Sequence, residues 1–354
     1  MRWRRANAAP VEVFAVEDRA AQVVVRDPSP RIVEVQDLEP GRSQRVEVDR
    51  HAVEITTLAP PPGQELFRIA TLSDLHLGAT HHFGVRDLPG VTDPFPLRCA
   101  RAAVVDALAW GAQTIVIKGD LTHHARDDEW EQLGRLLDEI PVPVALLLGN
   151  HDVQHLGRRS DPEGRLHPHK VLADLGQPFQ DVTWLDVPGV RVLLVDTTLP
   201  GWGRGRVAHA HEGVVAAAAD TDRPVLTMLH HHLEQYPVPV AYPFGVAHRG
   251  ATRLLRALRD VKRELFVTSG HSHRNRARVQ HGVHITEVGS VKDYPGVWAG
   301  YVVHEGGIRQ VVRRITAPDC VPFIERTAQA LYGAWGRWTP GRLDDRCLVH
   351  RWDD

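Results

Sequence analysis

The sequence predicts an α/β fold finished by antiparallel strands, on three observations. Short apolar runs rich in β-branched residues alternate with helical patterns as far as about residue 270. Beyond that point strands follow one another through tight turns. Five of the apolar runs stop at a polar cluster carrying Asp, Asn or His, and three of those clusters are introduced by Gly. Strand carboxyl ends face the ligand crevice in open α/β sheets, so five such endings describe termini built to converge on one place.

At 354 residues the chain exceeds one average domain, which predicts a core of about 250 residues with smaller flanking pieces. Residues 1–63 alternate apolar and polar positions at Val11–Val16, Gln22–Val25 and Arg45–Val48 between Pro, Gly and Asp turns. That is the pattern of a small β-rich module. Ala59-Pro60-Pro61-Pro62-Gly63 then reads as a stiff linker. The expected division is 1–63, a catalytic domain over 64–316, and a C-terminal helix and tail over 317–354.

The first core strand, Ile69 to Leu72, ends at Asp74 and His76, two metal-capable side chains two positions apart. The loop 79–96, with His81, His82, Asp87 and Asp93, is expected to overhang them. Leu97, Ala100, Val104, Val105 and Leu108 form a helical stripe that Gly111 terminates. Thr114–Lys118 is the next strand and runs into Gly119-Asp120. Residues 127–140 form a helix with Asp127, Asp128 and Glu129 in its first turn, stopped by Pro141.

Val144–Leu148 leads into Gly149-Asn150-His151-Asp152, followed by a short helix at 171–176 and strands at 182–187 and 190–196. The Gly-rich loop 200–205 lacks the Gly-Lys-Ser/Thr of a phosphate loop and reads as a surface turn. Val225–Leu229 runs into His230-His231-His232. After a helix at 251–259, whose Arg253, Arg256 and Arg259 form a solvated face, Leu265–Ser269 runs into Gly270-His271-Ser272-His273. Strands at 277–280, 284–288, 301–303 and 308–315 complete the core. From 317 an amphipathic helix with Phe323, Ala330, Leu331 and Trp335 leads to a polar tail, and Trp184, Trp202 and Trp298 are read as packing residues.

Taken in order, Asp74-x-His76, Gly119-Asp120, Gly149-Asn150-His151-Asp152, His230 and Gly270-His271-x-His273 resemble the signature of the calcineurin-like binuclear metallophosphoesterases, over about residues 65 to 316. The resemblance implies a two-sheet α/β sandwich. It implies that Asp74, His76, Asp120 and His273 hold one metal ion and that Asp120, Asn150, His230 and His271 hold a second. His231 is the alternative to His230, because three histidines are consecutive. His151 resembles the family's phosphate-contacting histidine, and Asp152 is expected to hydrogen-bond one of its ring nitrogens. His81, His82, His123 and His124 are either substrate contacts or exposed loop histidines.

The chemistry accounts for these residue types. Two divalent ions about 3.5–4 Å apart acidify a water, clamp a phosphate and stabilise the leaving oxygen, and a carboxylate can bridge them with one oxygen each. Hard oxygen and borderline imidazole donors without thiolate favour Mn, Fe, Zn or Co. The activity expected from the resemblance is phosphodiester hydrolysis of the bacterial cyclic-nucleotide type. Phosphomonoester hydrolysis, DNA cleavage and a metal-free protein-binding scaffold are the alternatives.

A formal net charge of −2 gives no electrostatic reason to expect a nucleic-acid or membrane partner. Cys99, Cys320 and Cys347 are too few and too scattered for a disulfide framework. The basic start, Met1 to Pro10, is followed by no apolar segment of the secretory kind, which points to a cytoplasmic protein. The resemblance implies a small phosphoester, such as a cyclic nucleotide, as its partner. Oligomeric state is left open.

Overall fold

The computed structural model describes residues 9–87, 89, 90, 93–153, 168–177, 180–240 and 242–353. The basic stretch 1–8 lies outside the described residues. Two six-stranded sheets form the body. The first runs in the order Val144–Leu147, Thr114–Lys118, Glu65–Leu72, Val297–His304, Gly307–Arg314, Cys347–Arg351, its first three strands parallel and the rest antiparallel. The second runs Val182–Val187, Val190–Val195, Val225–Leu229, Leu265–Ser269, Val283–Glu287, Arg276–Gln280, with four parallel strands between antiparallel edges.

Continuous apolar strands are what a sheet covered on both faces requires. Ile115 and Ile117 pack with the helices Phe95–Ala109 and Asp127–Asp138 on the outside of the first sheet. Between them in sequence, Val116 points the other way and joins Val192, Leu226, Met228 and Phe266 between the sheets. The second sheet repeats the device: Leu193, Val195 and Val225 pack outward against the helices His211–Ala219 and His248–Val261. The order is therefore helix, sheet, sheet, helix, the sandwich expected.

Several local expectations change. Val105 is exposed, since Val104 and Val105 lie about 100° apart on a helix; Ala103 and Ala107 complete the buried stripe instead. Trp184 and Trp202 are exposed and only Trp298 of the three packs inside. The strands Arg31–Val35 and His51–Thr56 and the Ala-rich helix His211–Ala219 join those read from the sequence. The segment after 317 is not one helix: Val321–Thr327 stops, Leu331 and Tyr332 adopt left-handed backbone (φ 51° and 57°), and Ala334–Trp338 starts afresh. Nor is the tail simply polar, because Cys347–Arg351 is the edge strand of the first sheet.

The N-terminal strands pack on this body rather than standing off from it. Phe14, Ala15 and Val23 to Val25 share a buried cluster with residues of both large sheets. Gln22 exchanges two hydrogen bonds with the Arg314 backbone, at 2.7 and 3.1 Å. The Arg346 guanidinium donates to the Phe14 carbonyl at 2.8 Å, and the Val16 N–H points at Cys347 Sγ at 3.3 Å across 331 residues of sequence.

Candidate metal centre

The parallel strands of both sheets end on one rim of the sandwich. Glu65–Leu72 leads to Asp74 and His76, Thr114–Lys118 to Asp120, Val144–Leu147 to Asn150, Val225–Leu229 to His230, and Leu265–Ser269 to His271 and His273. Bonds across the sheets lock this seam. The His271 N–H donates to Asp74 Oδ2 at 3.1 Å and the Val291 N–H to the Ser73 carbonyl at 3.2 Å. The Lys118 ammonium donates to the Ser269 carbonyl at 3.0 Å, while its own carbonyl accepts from His230 Nδ1 at 2.7 Å.

The glycines of the motifs make that closeness possible. A Cβ on Gly270 would stand 1.8 Å from Ser73 Oγ, and one on Gly149 would stand 2.1 Å from the Asp120 nitrogen. The residues after the strands turn sharply: Asp74, His76, Asp120, His271 and His273 all have left-handed backbone, with φ of 58°, 47°, 49°, 66° and 52°. Asp and His are among the side chains that tolerate this region best, and strained conformations of this kind persist where the surroundings over-determine them.

The side chains converge in two overlapping groups. In the first, His76 Nε2 is 3.3 Å from His273 Nε2 and 3.4 Å from Asp120 Oδ2, and His273 Nε2 is 3.5 Å from Asp74 Oδ1. In the second, His230 Nε2 is 3.4 Å from Asp120 Oδ1 and 3.3 Å from Asn150 Oδ1. His271 approaches from the side: ligand-capable atoms of His230, His231 and His271 lie within 4.8 Å of one another, and His271 Nε2 is 3.1 Å from the Phe244 carbonyl. Of the two motif-four candidates, His230 aims its free nitrogen at Asp120 and Asn150, whereas His231 Nδ1 is hydrogen-bonded to Thr197 Oγ1 at 2.8 Å.

These groups fit metal ions. Asp74 Oδ1 is buried with no hydrogen-bond partner among the described residues, an arrangement costly for a carboxylate unless a cation meets it. Burial first, then Lys292 and neighbouring histidines, holds the His76 pKa well below its ordinary value, and burial with His231 and His230 does the same for His271. Neutral imidazoles are the form that binds metal. All donors are oxygen or imidazole nitrogen, the set that suits borderline divalent ions.

His151 stands beside the first group, its ring 4.4 Å from that of His76. Its Nδ1 faces the His123 carbonyl at 2.9 Å, so that nitrogen carries the proton and Nε2 is left for other work. The expected Asp152–His151 bond is absent. Asp152 is committed to backbone instead: Oδ1 accepts from the Thr122 N–H and hydroxyl at 2.8 Å, and Oδ2 from the N–H groups of Gly149 at 2.8 Å and Leu121 at 3.2 Å. Buried donors from two loops outcompete a ring already served by a carbonyl, which makes Asp152 a clamp on the loops carrying Asp120 and Asn150. Burial and the neighbouring Asp120 carboxylate push its pKa up to about 7.

Three contributors went unread in the sequence. Asp293 accepts from His273 Nδ1 at 2.7 Å, Lys292 lies 3.2 Å from Asp293, and Lys118 ties the two sheets together as described. Burial drives the Lys118 pKa down to about 7, with Asp74 opposing. Burial also opposes ionisation of Asp293, but His273, His82 and Lys292 outweigh it and hold its pKa well below the carboxylate range. The signal for the first two was present: Gly289-Ser290-Val291-Lys292-Asp293 follows the strand Val283–Glu287 just as the other polar clusters follow theirs. His82, read as either contact or bystander, is buried with its Nδ1 3.4 Å from Lys292 Nζ.

A probable cyclic nucleotide phosphodiesterase of Psychrobacter sp. is 25% identical over 174 residues, which are 48% of this chain and 49% of that protein. A glycerophosphodiester phosphodiesterase of Enterobacter lignolyticus is 23% identical over 58% of this chain and 70% of its own length. The chain thus spans about half the length of the first of these relatives. Among solved structures, a dimetal phosphatase from Danio rerio superposes with a TM-score of 0.52 at 17% identity, covering 71% of this chain and 97% of that one, a likeness of fold. The model of the calcineurin-like phosphoesterases matches residues 67–275, a stretch that contains every predicted ligand, and the chain belongs to that family.

Proposed function

We propose that this protein is a phosphodiesterase with a binuclear metal centre, in which Asp74, His76, Asp120 and His273 hold one ion and Asp120, Asn150, His230 and His271 the other. The observation that carries the reading is the divergence of the Asp120 carboxylate, whose Oδ2 lies 3.4 Å from His76 Nε2 and whose Oδ1 lies 3.4 Å from His230 Nε2. When bound, two such ions supply a water nucleophile near neutral pH and neutralise the charge that grows on the phosphoryl oxygens. Manganese, iron, zinc and cobalt all match the donor set.

The protein's own groups do the rest. Asp120 Oδ1 also accepts from the His151 backbone N–H at 2.8 Å, which couples the position of His151 to that of the shared carboxylate. With its Nδ1 proton directed at a carbonyl, His151 exchanges the catalytic proton through Nε2: as the imidazolium, having taken up a proton there from solvent, it gives that proton to the departing ester oxygen as the P–O bond breaks and returns to the neutral Nδ1–H form. Asp293 orients His273, and the Lys118 carbonyl orients His230, so that each ring offers Nε2.

Two relatives named for diester substrates, a cyclic nucleotide and a glycerophosphodiester, support a small phosphodiester over a monoester. The three cysteines are free and buried, which supports a cytoplasmic setting. Among the described residues no helix is long and apolar enough to cross a membrane. Of the expected pieces 1–63, 64–316 and 317–354, the middle one carries every proposed ligand, while the last adds an edge strand to the first sheet and sets Trp335 against Asp293. Elemental analysis together with turnover of bis-p-nitrophenyl phosphate and p-nitrophenyl phosphate tests the reading. Two ions per chain and preference for the diester are expected, and preference for the monoester would overturn the diesterase assignment.

A further inference from the structure

An apolar groove of about 410 Å³ opens beside the metal centre, lined by Val240, Tyr242, Leu331, Ala334, Trp335 and Trp338, with Arg337 the single charged residue among the described lining. Both walls touch predicted ligands. Trp335 donates its indole N–H to Asp293 Oδ1 at 3.0 Å and stands edge-on to His273, with ring centroids 5.8 Å apart. The opposite wall belongs to the loop whose Phe244 carbonyl is 3.1 Å from His271 Nε2.

One wall of the groove is anchored to the core. Trp338 stacks on the Arg274 guanidinium at 4.4 Å, and Arg274 is itself fixed to the buried Glu287 at 2.7 Å. Left-handed backbone at Leu331 turns that side chain to solvent. Val240 and Tyr242 are 70% and 79% exposed, and Tyr236, Val238 and Phe244 of the same loop are exposed beside them. Contiguous exposed apolar surface of this kind marks a place where something binds.

We propose that the groove is the ester-group subsite of the centre and selects phosphoesters carrying a hydrophobic group, alkyl or aryl, over those carrying a bare polyol. The proposal rests on the phosphohydrolase reading above. A phosphate held at the centre must direct one ester arm along the adjoining surface, and the groove begins at Trp335, against His273. A bare polyol would lay its hydroxyls on a lining whose polar side-chain groups are the Tyr242 hydroxyl, the Arg337 guanidinium and the indole N–H groups of the tryptophans. Trp335 has already spent its N–H on Asp293. Each methylene that the groove covers, by contrast, favours an alkyl arm by about 3- to 4-fold.

The test is calorimetric titration of the whole, manganese-loaded chain with n-alkylphosphonates from methyl to octyl, which need no turnover to be read. Affinity should rise about 3-fold per methylene over at least four methylenes. The gain from ethyl to octyl should fall tenfold or more in Trp338→Ala and in Leu331→Ser, with manganese content confirming that the centre survives. Affinity that is flat with chain length, or no binding at all, overturns the proposal. So does a dimer in sedimentation velocity that Tyr332→Ser dissociates, since a second copy would then cover the groove. The phosphohydrolase reading fails separately, if the same preparation does not turn over bis-p-nitrophenyl phosphate.

Discussion

Asp293 holds His273 from behind: one carboxylate oxygen lies 2.7 Å from His273 Nδ1, and the other accepts the Trp335 indole N–H at 3.0 Å. A carboxylate in this position fixes the tautomer and ring angle of a metal-binding histidine and raises its basicity. The family signature does not pair them, because the two residues are 20 apart and only His273 belongs to it; the signal for Asp293 is its place in the polar cluster after the strand Val283–Glu287.

Asp293→Ala should weaken metal binding by about 10- to 100-fold at one of the two sites while leaving the other. Competition with a chelating dye resolves the two affinities. Identical titrations for the variant and the parent protein would remove Asp293 from the centre.

Asp120→Ala should cost both ions, since it removes the carboxylate whose oxygens face both groups, whereas His76→Ala and His230→Ala should each cost one. Metal content per folded chain, with circular dichroism as the check on folding, distinguishes these outcomes. Two ions retained by Asp120→Ala would sink the bridging assignment.

The role of His151 depends on the leaving group. General acid catalysis is worth about 10²- to 10⁴-fold when a basic alkoxide departs and little when a stable phenolate does. His151→Ala should therefore slow an alkyl phosphodiester far more than a p-nitrophenyl diester, at unchanged metal content. Equal losses would assign the residue to holding the phosphate.

Glu287 is fully buried and neutralises two arginines, Arg274 and Arg278, each at 2.7 Å, while accepting the Ser272 hydroxyl at 2.9 Å. Burial pushes its pKa up, but His232, Arg274 and Arg278 prevail and hold it well below the carboxylate range. A depressed folded pKa adds stability that is complete above the unfolded value of about 4.3 and is lost as pH falls through the folded one. Glu287→Gln leaves cations buried without their counter-charge and should cost about 3–5 kcal/mol at pH 7. Urea unfolding of both proteins should give a difference that is constant from about pH 7 to 5 and narrows below about pH 4.3. A difference that widens on acidification would contradict the assignment.

What could be read from the sequence was what local chemistry dictates. The strands ending in Asp120, Asn150 and His230 announced themselves through apolar runs, and the glycines before Asp120, Asn150 and His271 announced close approach. What escaped depended on packing between distant segments. Asp152 looked like a partner for its neighbour His151 until the buried amides of Thr122 and Gly149 claimed it. Cys347–Arg351 looked like a polar tail because a five-residue edge strand shows no pattern until its partner Gly307–Arg314 is known. The break at Leu331 and Tyr332 interrupts a stripe whose spacing alone reads as continuous helix.

The junction of Phe14 and Val16 with Arg346 and Cys347 has a consequence for how the molecule comes into being. Strands made first must wait for a segment made more than three hundred residues later before their apolar face is covered, and at about 5–20 residues per second that delay exceeds about ten seconds. Val23 to Val25 share their buried cluster with Val311, Val312 and Cys347 and cannot be covered by them until those residues are made. The nascent chain therefore passes through a stage in which these strands are open to chaperones or to strands of other chains, and the closing of this junction is a late event in assembly.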